Sequence, residues 1–492
     1  MIKNIRSLYF GEVSAEVEVA KDPERFMSTY LDIWGLEERL LKNDFFLVLG
    51  PKGTGKTALG HFCRLTLENR YGLPKVLSVS RDMDQLTPNI SPLSALTSKL
   101  VSEDAQGVTA TAWRLYIGLQ LYSLAIADQA SPLAHTPEFV RLWGELQQAG
   151  LVSEHTVTAD FPTVLRKVRE GKLSFSAKIF GGEALKRDTD EISVTQLGDT
   201  LIDTILAASS DTHYQLIIDG LDRVIGTNKA YWLSVSSLLM AASDIHMKIM
   251  ARHSNIHLMV MCRTDVFRRI GFADADKIAG DSALFVDWAN QQTRIEDNYL
   301  WDYLAKKAGI SVDDLMAAIP NEVIVGEKSS RGRRLEGIPY FFSSTRCTPR
   351  EMTMLMRQVQ SATPPGQPVT GERLRTAVDN FASQDLLSII MAESLGILRP
   401  ESRDALSAVI SGLPSASRVE FSHLEEAVKA VGLNPDAAKE IGEFLFLAGV
   451  LGNLNASRGH VQFYYRRDTY TFNVRGPWVL HRGLMYAFNV PY

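Results

Sequence analysis

Asp44-Phe-Phe-Leu-Val-Leu-Gly50-Pro-Lys-Gly-Thr-Gly-Lys-Thr57 is the stretch that decides how this chain folds. Its first half is a short apolar run that stops at a glycine, the pattern of a strand buried on both faces of a parallel sheet. Its second half, Gly50-x-x-x-x-Gly55-Lys56-Thr57, is a glycine-rich turn, and helical periodicity resumes in Thr57-Ala-Leu-Gly-His-Phe-Cys-Arg-Leu. Strand, glycine loop and helix in that order make a phosphate cradle. Gly53 and Gly55 let backbone N–H groups turn inward, and the helix N-terminus adds a favourable dipole. Lys56 neutralises β/γ-phosphate charge and Thr57 ligates Mg2+. The residues expected to bind ATP are therefore Gly50, Pro51, Lys52, Gly53, Thr54, Gly55, Lys56, Thr57 and Ala58.

Outward from the loop, Lys75–Ser80, Tyr214–Asp219 and Ile256–Cys262 read as further strands, with Ala283–Asp287 as a last one and a helical segment at Tyr231–Met250. Alternating strands and helices predict an α/β fold, a doubly wound parallel-sheet P-loop NTPase core with its sites at the C-terminal strand edges. The long interval after the second strand predicts an insertion of helices over about 90–210, carrying Trp113, Tyr116, Ile117, Leu121 and Leu124, with a small hairpin from Leu173 to Phe180. The expected plan is a helical preface over 1–43, the core over 44–292, an α-helical lid over 293–362 and, after the linker Thr363–Pro368, a C-terminal winged-helix-like domain over 369–492. In that last domain Ser422 caps one helix, Pro435 starts another, and Val461–Tyr465 with Tyr470–Val474 form a hairpin around Arg466 and Arg467.

Composition bounds the function. The 492 residues are 45% hydrophobic and 22% charged, ordinary globular values in a chain long enough for several domains. A net charge of −5 gives no global attraction for nucleic acid. Cys63, Cys262 and Cys347 lie far apart, without zinc-site or disulfide-framework spacing. No apolar leader or run of about 18 apolar residues occurs, so the expectation is a cytoplasmic protein that does not enter the membrane.

Beyond the loop, Asp219 closes the apolar run Leu216-Ile-Ile218 and is the natural second ligand for Mg2+. Asp222 follows three residues later, either orienting water at the γ-phosphate or capping the next helix. Arg263, directly after a strand, offers a cation to the γ-phosphate, and Arg268 and Arg269 are either a finger for a neighbouring subunit or a solvated face. Arg350 follows Pro349 in the first turn of a helix, where a cation opposes the helix dipole and points to another partner, a bound nucleotide. Arg331-Gly-Arg-Arg334 and the arginines Arg458, Arg466, Arg467 and Arg475 are basic clusters usable on nucleic-acid phosphates, although Glu440 and Glu443 on the second C-terminal helix oppose that use.

Gly50–Thr57, Leu216-Ile-Ile-Asp-Gly-Leu-Asp222, Cys262-Arg263, Thr348-Pro-Arg350 and the upstream Phe10-Gly-Glu-Val-Ser-Ala-Glu16 together resemble the STAND-like branch of P-loop ATPases, relatives of AAA+, and within it a bacterial family suspected in phage defence. The resemblance implies an ATPase acting as a nucleotide-controlled switch, with Asp222 as the catalytic acid and Arg263 as a sensor. It implies a homo-oligomer, a separate effector protein, or both. One departure concerns Gly220, which stands where AAA+ proteins place a glutamate after the Mg2+-binding aspartate; another concerns Arg223, where STAND members often carry an acid. Both argue for slow hydrolysis. The alternative is an AAA+-like loader or remodeller that grips DNA through the C-terminal wing and the Arg331–Arg334 loop. A small-molecule kinase fits less well, because of the large lid and C-terminal domain.

Overall fold

The computed structural model of the chain describes residues 4–83, 105–153, 156–176, 191–208, 210–221, 229–271, 274–289, 294–325, 333–395, 397–414, 418–455, 460–467 and 470–487. Asp222, Arg331, Arg458 and the far half of the expected Leu173–Phe180 hairpin lie outside the described residues. The chain forms two compact units, one of Trp34–Leu49 and Leu59–Phe285, the other of Met1–Ile33, Gly50–Ala58 and Val286–Tyr492.

The first unit is built on a five-stranded parallel sheet. Its strands are β1 (Leu47–Gly50), β2 (Val76–Asp82), β3 (His213–Asp219), β4 (Ile256–Arg263) and β5 (Ala283–Phe285), in the order β2-β3-β4-β1-β5. Every residue of β1 and β4 is buried, and so are the first six of β3, as continuous apolar runs between two helical layers require. β2 and β5 are the edges, and Phe285 is 47% exposed. From β1 the chain runs to β2 on one side, and the later return to β5 lands on the other. A sheet of this kind takes its ligands at that reversal, beyond the carboxyl ends of the strands.

Helix α1 (Lys56–Tyr71) follows β1, and a Cβ on Gly60 would come within 3.0 Å of Ile217 and 3.1 Å of Met261. Any larger residue there would press on these two side chains. Between β2 and β3 come α2 (Ala105–Ala127), α3 (Phe161–Glu170) and α4 (Val194–Ala207), and α5 (Lys229–Ala251) joins β3 to β4. The first of these, α2, is the hub. Trp113 stacks on Phe161 with ring centroids 3.7 Å apart, and its indole N–H donates to Ser234 O at 2.9 Å. Where α2 crosses α4 the two backbones nearly touch, because a Cβ on Gly198 would stand 2.5 Å from Leu115 N.

At the opposite edge of the sheet, Asn43 donates through Nδ2 to Ser254 O, which leaves its Oδ1 to accept from His257 Nδ1 at 3.1 Å. His257 Nε2 must then accept from His213 Nδ1, also at 3.1 Å. Burial, with His213 beside it, lowers the pKa of His257 to about 3, and burial lowers that of His246 to about 4. Both are neutral in the folded chain.

In the second unit, residues 5–12 lie along α6 (Pro349–Ala362), where Thr353, Arg357 and Gln360 donate to the carbonyls of Phe10, Gly11, Leu8 and Ile5. The stretch expected to be an all-helical lid also contains an antiparallel pair, Glu322–Val325 with Arg333–Glu336, because Val323 and Val325 alternate inward. Further on lie α7 (Leu387–Ser394), α8 (Phe421–Ala430) and α9 (Ala437–Leu447), then a sheet of β6 (Leu451–Asn455), β7 (His460–Gln462) and β8 (Trp478–Leu480) in the order β7-β6-β8.

Two details differ from the expectation. Glu420 caps α8 in place of Ser422, in a reciprocal box with His423. The hairpin is β6 with β7, not Val461–Tyr465 with Tyr470–Val474. Asn453 explains why the second segment needs no strand partner: its side chain donates to Thr471 O at 2.8 Å and accepts from Asn473 N at 3.0 Å.

Replacing Gly198 by Ala should push α2 and α4 apart and lower stability by about 1–3 kcal/mol, an overpacking cost. Gly144→Ala, in the helix Pro137–Gln148 with nothing within 4 Å of the new methyl, should gain up to about 1 kcal/mol of helix propensity. Thermal melts of both variants check the contrast. His246 and His257 contribute to a pH dependence. Their folded-state pKa values are depressed, so their contribution to stability is complete above their ordinary 6.5 and is lost as pH falls toward about 4 and about 3. The melting midpoint should therefore drop between pH 7 and pH 5, and His257→Asn should lessen the drop.

Candidate nucleotide site

The loop from Gly50 to Lys56 is shaped by positions where no side chain fits. A Cβ on Gly50 would sit 2.7 Å from Val286 O and 2.8 Å from Thr54 Oγ1. Gly53 and Gly55 have φ of +82° and +94°, left-handed backbone that glycine adopts without strain. Three side chains then hold the turn. Thr54 Oγ1 donates to Pro51 O at 2.9 Å, Trp288 Nε1 donates to Thr54 O at 2.9 Å, and Lys56 Nζ donates to Gly50 O and Pro51 O at 3.0 and 2.9 Å. Thr57 and Ala58 follow in the first turn of α1, the end of a helix that favours anions.

Against this loop stands the first turn of α6. Thr348 caps the helix, accepting from Glu351 N at 3.3 Å, and Pro349 occupies its first position. Arg350 N donates to Gly53 O at 3.4 Å, and a Cβ on Gly53 would lie 3.3 Å from Arg350 Cβ and from Thr348 Oγ1. Arg350 is thus brought to the loop, 297 positions away in sequence (350 minus 53).

Asp219 and Arg263 end β3 and β4, so they belong to the carboxyl edge of the parallel sheet, as does Gly50 at the end of β1. Gly220 follows Asp219 with φ of +73°, and its N–H donates to Asp219 Oδ1 at 2.7 Å. A Cβ on Gly220 would fall 2.0 Å from Asp82 Oδ1. The register explains this, since Asp82 is the residue of β2 paired with Asp219. Asp82 thus fills the space where a side chain after Asp219 would begin.

Arg263 is buried and forks onto Asp265, Nε to Oδ1 at 2.9 Å and Nη2 to Oδ2 at 2.7 Å. Burial alone would raise the Asp265 carboxyl, but the guanidinium of Arg263 holds it below the usual carboxylate range. Each charge therefore has its counterion two residues away.

Asp82 and Trp288 were not among the residues read from the sequence as site candidates. Trp288 carried one usable signal, since a buried indole needs a hydrogen-bond acceptor. Asp82 carried none before its register with Asp219 was fixed. Burial pushes the thiol of Cys347, near the α6 cap with φ of +56°, up to about 12.

A strand buried on both faces, a glycine loop that excludes side chains and a helix leaving it, at the reversal of a parallel sheet, settle the fold class. The chain has the α/β fold of P-loop NTPases. Solved structures similar to it include the Aeropyrum pernix Orc1 protein in complex with DNA, with a TM-score of 0.42 and 12% identity over 96% of this chain and 95% of that one. The Thermotoga maritima RuvB Holliday junction branch migration motor gives a TM-score of 0.31 and 14% identity over 95% and 99%. Cdc6p from Pyrobaculum aerophilum gives 0.25 and 11% over 95% and 96%. No protein-family model matches the sequence, and no curated protein does.

Two substitutions separate the causes of the glycine pattern. Gly55→Ala meets nothing closer than 4.0 Å, so it should cost only the backbone strain of about 1–2 kcal/mol. Gly220→Glu restores a carboxylate after Asp219 but collides with Asp82. It should lower the melting temperature and leave ATP turnover no faster, which a coupled phosphate-release assay reads.

Proposed function

We propose that this chain is an ATP-binding switch that hydrolyses ATP slowly. On this reading Gly50 to Ala58 wrap the phosphates, Lys56 offsets the β/γ charge, and Thr57 with Asp219 holds Mg2+, which supplies charge neutralisation on the phosphates when bound. The residues suit such a ligand: Gly50 has no room for a side chain, and Gly53 and Gly55 hold the left-handed backbone that lets N–H groups turn toward a phosphate. The observation that carries the switch reading is the contact of the Thr348–Arg350 turn with Gly53. A γ-phosphate on the loop would be felt by the helix whose first turn holds Arg350.

Slow turnover follows from two features. The residue after Asp219 is Gly220, which carries no carboxylate, and its φ of +73° disfavours any side chain there, with Asp82 Oδ1 beside it. Arg263 is held by Asp265, which reduces the charge it offers a phosphate. Asp222 remains the candidate for orienting the attacking water.

The resemblance to STAND-like, AAA+-related ATPases supports reading the chain as a cytoplasmic regulatory subunit that assembles with itself or with a separate effector protein, and prokaryotic anti-phage defence is the setting it implies. No helix among the described residues is long and apolar enough to cross a membrane. A second reading, a DNA-binding remodeller, draws on the C-terminal order of α8, α9 and a three-stranded antiparallel sheet, a winged-helix arrangement, with Arg466, Arg467 and Arg475 exposed beside it. If Arg466→Ala/Arg467→Ala leaves duplex binding and its salt dependence unchanged, or no duplex binds at low salt, that reading is lost.

The switch reading is tested at Lys56. Lys56→Ala should weaken ATP binding about ten- to a hundredfold, the worth of a charge-assisted hydrogen bond of roughly 1.5–3 kcal/mol, as measured by titration calorimetry with Mg2+. It should also abolish any ATP-dependent change in assembly seen by size-exclusion chromatography. Unchanged binding and assembly would sink the proposal. Asp219→Asn should keep ATP binding but lose its dependence on Mg2+, checked by repeating the titration with a chelator.

A further inference from the structure

Four residues before Arg350, Arg346 is at the centre of a buried ionic network that the nucleotide reading does not use. It is 8% exposed, and its partners Glu351 and Glu393 are 2% and 6% exposed. Its backbone N–H donates to Glu351 Oε2 at 2.5 Å and its Nε to Glu351 Oε1 at 2.7 Å. On the other side of the guanidinium, Nη1 donates to Glu393 Oε2 at 2.8 Å and Nη2 to Glu393 Oε1 at 3.2 Å. Nη1 also donates to Ala448 O at 2.8 Å, just beyond the end of α9. Burial opposes the charge on Arg346, but the two carboxylates outweigh it and raise the pKa further.

Such a triad is a poor way to gain stability. Each buried ion loses several kcal/mol of hydration, and apolar side chains of the same volume often serve as well. What a guanidinium fork adds is direction, because its donors lie in one rigid plane and fix each acceptor's place. Here the acceptors belong to three separate elements. Glu351 is in the first turn of α6, next to Arg350 and three residues after the Thr348 cap, the residues in contact with Gly53 of the loop. Glu393 is on α7, and Ala448 joins α9 to β6. Nor is there slack around the network: a Cβ on Gly449 would stand 3.3 Å from Arg346 Cδ.

We infer that Arg346 is a positioning residue of the nucleotide site, which aims the Thr348–Arg350 turn at the loop through Glu351 and passes its displacement to α7 and the α9–β6 junction through Glu393 and Ala448. The inference rests on the loop's being a nucleotide site. It also goes beyond it, since it names the route by which bound ATP reaches the C-terminal helices and sheet. Arg350 senses; Arg346 transmits.

The test uses the full chain and follows amide hydrogen exchange with and without ATP and Mg2+. Arg346→Met would strand two buried carboxylates, so the main variant is Glu393→Gln, which keeps volume and lies away from the loop. In the unsubstituted protein, ATP should slow exchange at 50–58 and also at 387–394 and 444–455, the latter by about fivefold or more, a coupling of ordinary size. Glu393→Gln should keep the protection at 50–58 and lose it at 387–394. Arg346→Lys, with the charge but not the fork, should recover part of the distant response relative to Arg346→Met. Protection at 50–58 without any at 444–455 in the unsubstituted protein would overturn the inference, as would a full distant response in Glu393→Gln. Absence of protection at 50–58 would instead overturn the nucleotide reading on which it rests.

Discussion

The candidate site depends on one backbone constraint. The chain must leave a strand that is buried on both faces and reverse within a few residues, through a place where Val286 O leaves Gly50 no room for a methyl group. That requirement fixes glycine at 50 and left-handed backbone at 53 and 55. A loop made of such residues has little to hold it, which is why its polar atoms are tied from outside. Trp288 reaches Thr54, Lys56 reaches back to Gly50 and Pro51, and the Thr348–Arg350 turn rests on Gly53. The second unit is organised around that support, with residues 5–12 along one side of α6 and Arg346 fixing its first turn.

The sheet edge shows a related economy of charge. Asp219 turns one oxygen to the next backbone N–H, and Arg263 is paired with Asp265. Both charges at these strand ends are already engaged by protein partners. On the reading proposed above, this arrangement suits a protein that registers a nucleotide.

How much of this was legible in the sequence depends on the distance over which the cause acts. The strands β1, β3 and β4 were visible because burial on both faces writes a continuous apolar run. The loop was visible because its glycines meet a local steric demand. The anomaly at Gly220 was visible too, but its reason was not: it lies in a register with Asp82, 138 positions earlier (220 minus 82). Trp288 was missed for the same reason, its acceptor being the carbonyl of Thr54. In the C-terminal region only the first two residues of the aromatic run Val461–Tyr465 belong to a strand, β7, whereas its partner β6 reads Leu-Gly-Asn-Leu-Asn, poor in β-formers. Gly452 is there because a Cβ would meet Val461 at 2.7 Å and Phe463 at 2.9 Å, and Asn453 because its amide serves two backbone groups of the following segment. No local pattern announces either.

The grouping of Gly50–Ala58 with Val286–Tyr492, not with the strand that precedes it, bears on how the protein is made. A ribosome adding about 5–20 residues each second needs roughly 15–60 s to travel from Gly53 to Arg350. For that period the sheet's first strand exists while the turn that steadies its loop has not yet been synthesised. The nascent chain therefore acquires its finished glycine loop late, and a fragment released early would carry the motif without the support that gives it shape.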